Sequence, residues 1–402
     1  MRFCRKIYCV CALSLCFFSC AKKNIEITVP NKDKPVIFFN RQPGDAITGK
    51  VDTAALNHNA DTFFVGSDAA GGGAMQGALV ADFLLGSDAN KIDRNGDGVI
   101  GYLLLIGSDV QIDADYRTQG VRKALGTWNG SSKARDVKIG SIKISNRAYQ
   151  IEELDSKVMK DKTGSSWNTK MASESMAFWL WKYKDKIDMV ISNNDSMALA
   201  CINTKGFPKG IPVFGYDANE AALDAIEKGE MTGSISQSFD YQAAMTMLMM
   251  RSLLDGVAGE DSVGNGISVP DKYGNQINQF ASYDRFNRSI LVQNAAVTKE
   301  NVSLFKKSFK HINGIKEIER EGTEKKILMT VYNENSYFTA QQLVPAMKYY
   351  AQALNLSLTI INGNGRNDAC ILQQIENVDE YDGFLLNLVS TNQARSYLER
   401  IR

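Results

Sequence analysis

Short apolar runs alternate with stretches of helical periodicity along almost the whole chain. Apolar runs fall at 36–39, 101–106, 137–145, 189–192, 213–215, 327–331, 358–361 and 383–388, and each predicts a strand. Between them, helical spacing predicts helices at 74–85, 113–126, 167–183, 220–228, 241–255, 340–354 and 391–401. Strand and helix in alternation is the pattern of a parallel sheet with crossover helices, so the expected fold class is α/β. The stretch 256–286 is rich in Gly, Asn and Asp and only weakly periodic, which predicts irregular crossing and hinge structure. The stretch 304–324 is dominated by Lys and Glu and includes Gly314 and Gly322, as a bridge between structured parts would be.

The N-terminus has a different pattern. Arg2, Arg5 and Lys6 precede an apolar stretch at 7–18, shorter than the roughly 20 residues of a membrane span and of the length of a secretory signal. Phe17-Phe-Ser-Cys20 resembles a relaxed lipobox, with Phe17 where Leu is usual and the polar Ala21-Lys-Lys-Asn24 following. The expectation is a signal peptide at 1–19 and lipid on Cys20, giving a periplasmic, membrane-anchored lipoprotein. Beyond Cys20 only Cys201 and Cys370 remain of the seven cysteines, neither in a CxxC pair, so no disulfide framework or thiolate metal site is indicated.

With 402 residues the chain can bury two ordinary cores, and 46 basic residues against 45 acidic ones argue against a nucleic-acid partner. Asp93-Arg-Asn-Gly-Asp-Gly-Val-Ile-Gly101 places side-chain oxygens on Asp93, Asn95 and Asp97, a turn at Gly98 and a backbone carbonyl at Val99. That spacing suits a hard cation such as Ca²⁺. An EF-hand would need Glu six residues after Gly98, where Leu104 stands, and 99–106 reads as a buried strand. The loop therefore has to borrow its last acid from elsewhere.

A calcium loop leading into a strand is a feature of bacterial galactose/glucose-binding proteins, and the flanking sequence resembles that family. Val36-Ile-Phe-Phe-Asn-Arg-Gln-Pro43, Phe64-Val-Gly-Ser-Asp68, Met189-Val-Ile-Ser-Asn-Asn-Asp195 and Ile211-Pro-Val-Phe-Gly-Tyr-Asp217 follow one another in the family's order. The family's opening strand and helix resemble Lys326-Ile-Leu-Met-Thr-Val-Tyr332 and Phe338, near the C-terminus. Its next two elements resemble Leu356-Ser-Leu-Thr-Ile-Ile-Asn362 and Asp382-Gly-Phe-Leu-Leu-Asn-Leu388. The resemblance therefore implies a circular permutant of the type I periplasmic binding fold, with two Rossmann-like lobes. One lobe would collect 25–66, 238–272 and 325–402, the other 67–237 and 280–308. A permutation linker at 309–324 and three crossings between the lobes complete the arrangement.

Carried over residue by residue, the resemblance implies a sugar site of Asn40, Asp113, Arg117, Asn194 and Asp217, with Trp167 and Phe338 as aromatic plates. Gln111, Ser336 and Gln237 stand where the family has His, Asp and Asn. The change at Ser336 puts the choice between glucose and galactose in doubt. Asp188 stands for the family's distant Glu and Gly101 for a Gln, so Ca²⁺ would rest on Asp93, Asn95, Asp97, Val99 and Asp188. The implied function is to capture D-glucose or D-galactose as a monomer and deliver it to an inner-membrane ABC permease. A chemosensory or ribose-type receptor is the rival within the class.

The residues themselves leave other readings open. A sugar-converting enzyme could use Asp113 and Asp217 as paired carboxylates, but only with one pKa raised. Trp167 would ordinarily be core, and Asn194 a helix cap. Gly71-Gly-Gly73 suggests a phosphate cradle, although neither GxGxxG nor GxxxxGK[ST] is present.

Overall fold

The computed structural model describes residues 32–45, 48–132, 137–257, 281–308, 323–334 and 336–402. The signal segment with Cys20, most of the Lys/Glu-rich bridge and residues 258–272 lie outside the described residues. Among those described, no helix is long and apolar enough to cross a membrane.

Two sheets organise the chain, as the alternating pattern predicts. The first has seven strands in the order Ala281–Asp284, Ser289–Val292, Thr62–Ser67, Val36–Phe39, Gly383–Leu386, Lys325–Val331 and Leu356–Asn362. All its pairings are parallel except the outermost one, between the first two strands. Val36 stands between Phe384 and Thr62, so strands from opposite ends of the chain are direct neighbours. Ile37 and Phe39 enter one core with helix Phe239–Leu254, while Val36 and Phe38 enter another with Ile371 and Tyr397. Burial on both faces is why Val-Ile-Phe-Phe reads as a continuous apolar run.

The second sheet has five strands in the order Gly140–Ile144, Arg147–Val158, Val99–Ile106, Met189–Ser192 and Val213–Phe214. It too is covered on both faces, with Leu103, Leu105 and Val190 on one side and Ile100, Leu104 and Ile191 on the other. A short antiparallel pair, Ser234–Ser236 with Ala295–Val297, completes this lobe. Arg147–Val158 is absent from the strands predicted by pattern. Its inward positions are Tyr149, Ile151 and Glu153, and the charge hides the alternation. Glu153 is tolerated because Arg122 holds it bidentately at 2.6 and 2.8 Å and Tyr102 donates at 2.9 Å.

The stretch 280–308, expected in the second lobe, divides between the two. Ser289–Val292 pairs in parallel with Thr62–Ser67 and buries Ile290 in the first lobe's core, and only the part from Ala295 onward joins the second lobe. The crossings between lobes therefore fall at 67–68, 237–238 and 293–294. They are tied to one another. Ser67 Oγ donates to Gln237 Oε1 at 3.1 Å, Ser238 Oγ to the Gln293 carbonyl at 2.9 Å, and Asn294 Nδ2 to the Asp68 carbonyl at 2.6 Å.

Gly71 to Gly73 lie inside helix Ala69–Gly86, capped by Asp68, whose carboxylate accepts from Gly71 N at 2.9 Å. A Cβ on Gly73 would come within 2.2 Å of the Tyr116 carbonyl on helix Ile112–Ala124. Gly73 thus serves close helix packing, and Gly72 lies against Tyr216 and Asn294, in place of the phosphate cradle considered from the sequence.

Candidate functional site

Ligands of open α/β sheets bind beyond the carboxyl ends of the strands, and here those ends from both sheets converge. Val36–Phe39 runs into Asn40 and Arg41, and Lys325–Val331 into Tyr332 and Asn333. From the second lobe, Val213–Phe214 leads to Asp217, Ser234–Ser236 to Gln237, and Met189–Ser192 to Asn194. Helix Ile112–Ala124 presents Asp113 and Arg117 on one face, four residues apart. The cavity between the lobes has a volume of about 450 Å³. Asn40, Asp113, Arg117, Trp167, Asn194, Asp217, Gln237, Ser336 and Phe338 all line it.

Three of these have backbones in the left-handed region that non-glycine residues rarely adopt: Asn40 (φ 62°), Trp167 (φ 59°) and Asp217 (φ 116°). Such conformations cost on the order of 1–3 kcal/mol each and persist where the surroundings fix them. For Trp167, its N–H donates to the Gly107 carbonyl at 3.0 Å and its indole Nε1 to Gln111 Oε1 at 2.6 Å.

Gln111 is therefore a correction to the expected site. It is buried, and its Nε2 donates to the Val389 carbonyl at 2.8 Å. Both ends of the amide are in use, so Gln111 stands behind Trp167, fixes the orientation of its indole and does not line the cavity. Asn194 lines it and also caps helix Asp195–Ile202, accepting from Met197 N at 3.0 Å. Ser336 Oγ donates to Thr339 Oγ1 at 2.7 Å.

The electrostatic centre is Arg117, only 4% exposed. Its guanidinium lies 3.6 Å from Asp113 and 3.7 Å from Asp217, donates to the Asn193 carbonyl at 2.7 Å, and stacks 3.7 Å above the Tyr216 ring. Gln237 Nε2 donates to Asp217 Oδ1 at 2.6 Å. Burial nevertheless pushes the Asp217 carboxyl up to about 7, because desolvation exceeds the help from Arg117 and Gln237. Asp113 Oδ1 and Arg117 Nε are buried with no hydrogen-bond partner. Such atoms are uncommon in folded proteins.

Sequence reasoning missed Arg41 and Tyr332, which also line the cavity. Arg41 donates to the Leu388 carbonyl at 3.0 Å and lies 3.5 Å over the Tyr332 ring. Its position directly after Asn40 at a strand end was the available signal. Tyr332 Oη crosses between the lobes to donate to the Ser166 carbonyl at 3.1 Å.

The Asp93 loop is built differently. Asp93 accepts from Gly96 N and Gly98 N, both at 2.9 Å, and Asp97 accepts from Val99 N at 2.9 Å and Asn95 Nδ2 at 2.9 Å. Asp188 uses one oxygen on Arg94 N at 2.9 Å and the other on Gly101 N at 2.8 Å. Burial raises its carboxyl to about 6. A Cβ on Gly101 would lie 2.2 Å from the Lys186 carbonyl, which leaves no room for a side-chain ligand there. Among the described residues no three His, Cys, Asp or Glu side chains converge as a metal-binding group. Each of these carboxylate oxygens accepts a single N–H and keeps a second lone pair.

A family profile of the periplasmic binding protein domain matches residues 29–258, more than half of the chain, and a second profile of that description matches residues 324–394. The chain is 31% identical over 229 residues to the D-galactose/methyl-galactoside binding periplasmic protein of Haemophilus influenzae, covering 55% of this chain and 57% of that protein. A xylitol-binding protein of Mycolicibacterium smegmatis is 26% identical over 118 residues, covering 28% of this chain and 34% of that one. The matched part thus spans less than two thirds of either relative, and both are named as binding proteins. A solved twin-arginine translocation pathway signal protein of Burkholderia phytofirmans aligns with a TM-score of 0.45 at 20% identity, covering 70% of this chain and 68% of that one. The chain belongs to the periplasmic binding protein family.

Proposed function

We propose that this protein captures a hexose, D-glucose or D-galactose, between its lobes and delivers it to an inner-membrane ABC permease. It would act as a monomer held to the membrane by lipid on Cys20. Family membership implies a periplasmic location. The observation that carries the sugar reading is the composition of one cavity fed by both lobes. It sets acceptors (Asp113, Asp217) beside donors (Arg41, Arg117), with Trp167 and Phe338 as aromatic surfaces. Sugar hydroxyls both donate and accept, and sugar faces pack on aromatic rings, so this mixture suits a polyol better than a simple anion. Because each lobe supplies only part of the shell, a bound sugar would favour the closed arrangement.

A sugar-converting reading would use the raised carboxyl of Asp217 as a proton donor. Its Oδ1 is held by Gln237 Nε2, and the sequence relatives are binding proteins, so the receptor reading is preferred. Calorimetric titration with glucose and galactose tests it directly. One-to-one binding without turnover is expected, and hexose turnover, or no heat with either sugar, would sink it.

The permuted order is part of the proposal, supported by the parallel pairing of Val36–Phe39 with Gly383–Leu386 and by the second family match at 324–394. Ca²⁺ at the Asp93 loop is a separate proposal. It would require Asp188 to turn from one of its two amides toward Asp93, Asn95, Asp97 and the Val99 carbonyl.

A further inference from the structure

Away from the chain crossings, the first lobe reaches across to the second beside Trp167. Gln111 Nε2 donates to the Val389 carbonyl at 2.8 Å. Thr391 donates to the Val110 carbonyl from its backbone N–H at 3.2 Å and from Oγ1 at 3.3 Å. Tyr332 Oη donates to the carbonyl of Ser166, the residue before Trp167. Val389 and Thr391 follow strand Gly383–Leu386 of the first sheet, whereas Val110 and Gln111 lead into helix Ile112–Ala124 of the second lobe. Gln111, Val389 and Thr391 are all buried, so these bonds form out of contact with water.

Gln111 serves both lobes at once. Its Oε1 accepts from the Trp167 indole at 2.6 Å while its Nε2 faces Val389. An indole N–H only donates and a carbonyl only accepts, so the two partners admit a single orientation of the amide. The indole belongs to the same lobe as Gln111, and Val389 belongs to the other. Parting the lobes about the crossings takes Val389 away, leaves Nε2 to water and frees the amide to turn. We infer that Gln111 is a positioning residue that couples lobe closure to the orientation of the Trp167 indole, so that the ring is set for a sugar face only as the lobes meet. This rests on the sugar-receptor reading. Gln111 does not line the cavity, so it acts on the ligand through Trp167 and through closure. Its loss therefore lowers the affinity of every sugar that stacks on the ring by one common factor.

Two measurements on the full chain test it. The first is calorimetric titration of wild type, Gln111→Met and Gln111→Glu with glucose, galactose and their deoxy analogues, each lacking a single hydroxyl. Gln111→Met removes both bonds. Gln111→Glu keeps the acceptor for the indole but sets a carboxylate against the Val389 carbonyl. Each variant should bind hexose at least tenfold more weakly, and its factor should agree within threefold across the sugars. A factor that collapses for one deoxy sugar would mean that Gln111 itself meets the missing hydroxyl. That result, or unchanged affinity in both variants, overturns the inference and leaves the receptor reading standing. The second is proton exchange of the Trp167 indole N–H by NMR, with the signal identified by its loss in Trp167→Phe. Hexose should slow that exchange at least tenfold in wild type and by less than threefold in Gln111→Met. Equal protection of the wild-type indole with and without sugar would show that the ring is held independently of closure, and it overturns the inference even if a variant fails to fold. If wild type binds none of the sugars, the receptor reading itself falls, and the inference with it.

Discussion

The cleft and the Asp93 loop are both places where carboxylates gather, and their hydrogen bonds separate them. In the loop each carboxylate oxygen of Asp93 and Asp188 has a backbone amide at 2.8 to 2.9 Å. In the cleft, Asp113 and Asp217 face charged and amide side chains, one buried oxygen of Asp113 has no partner, and three backbones are strained. Acids satisfied by their own loop stabilise it, whereas acids held apart by a shared arginine leave recognition to something else. Ionic spacing in a sequence does not distinguish the two cases. The partners do.

The comparison is broken most severely by removing 325–402. That deletion takes three of seven strands from the first sheet, together with Tyr332, Ser336 and Phe338 from the cleft, and leaves the Asp93 loop's own lobe intact. A 25–310 fragment should lose cooperative unfolding of the first lobe and all measurable sugar binding. If it unfolds in one sharp transition and binds glucose, the C-terminal segment is a separate domain and the permuted reading is wrong. Trp167→Ala is the next largest test. The indole packs against the cores of both lobes and against Gly107, so its loss should cost about 3 kcal/mol of stability by chemical denaturation as well as abolish sugar binding. Unchanged stability would mean the ring is only a ligand plate.

Trp167 also marks the limit of what was legible in the sequence. The expectation that it is a plate came from family resemblance, but its packing could not be read, because the partners Gln111 and Gly107 lie more than fifty residues away. The strands buried on both faces were legible because uniform burial writes itself as an apolar run, as at Val36–Phe39. Arg147–Val158 was not, since a buried ion pair puts Glu153 where the pattern wants an apolar residue. Ser289–Val292 was assigned to the wrong lobe for a different reason. A short strand carries no address, and only pairing with Thr62–Ser67 fixes its place. Nine of ten expected site residues meet in one cavity, while Gln111 does not, because replacing His by Gln kept a donor and an acceptor but both are used on Trp167 and Val389.

A pH series sharpens the cleft's side of the comparison. Asp217 has a folded pKa of about 7, above the ordinary carboxylate value, so the stability it contributes is present below about pH 4 and lost as pH rises through 7. Arg117, Gln237 and Arg41 act against the effect of burial and Asp113 adds to it, and the buried Asp195 carboxyl is a further acid that interacts with Asp217. Thermal midpoints of the sugar-free protein should therefore fall between pH 5 and 8, and less so in Asp217→Asn. A sugar hydroxyl donating to Asp217 favours the charged form, so binding should release a proton near pH 7. Affinity should drop about tenfold from pH 8 to pH 6. Calorimetry in buffers of different ionisation heat measures that proton, and a pH-independent affinity would show that Asp217 does not meet the ligand.

The smallest effect belongs to the loop. Asp93→Ala removes the acceptor for the amides of Gly96 and Gly98, and two such losses on a partly solvated turn should cost about 1–3 kcal/mol. Sugar affinity should change by less than threefold, because no residue of the loop lines the cavity. The decisive measurement is the response of wild-type thermal stability to Ca²⁺ and to chelator. If the loop is complete with its own amides, millimolar Ca²⁺ shifts the midpoint by less than 1 °C, and metal analysis finds no stoichiometric ion. If Asp188 instead releases Arg94 N or Gly101 N to a cation, the midpoint should rise with Ca²⁺ and the rise should vanish in Asp188→Asn. That second outcome would erase the contrast between the two regions. It would mean that carboxylates satisfied by backbone amides can still exchange one of them for an ion.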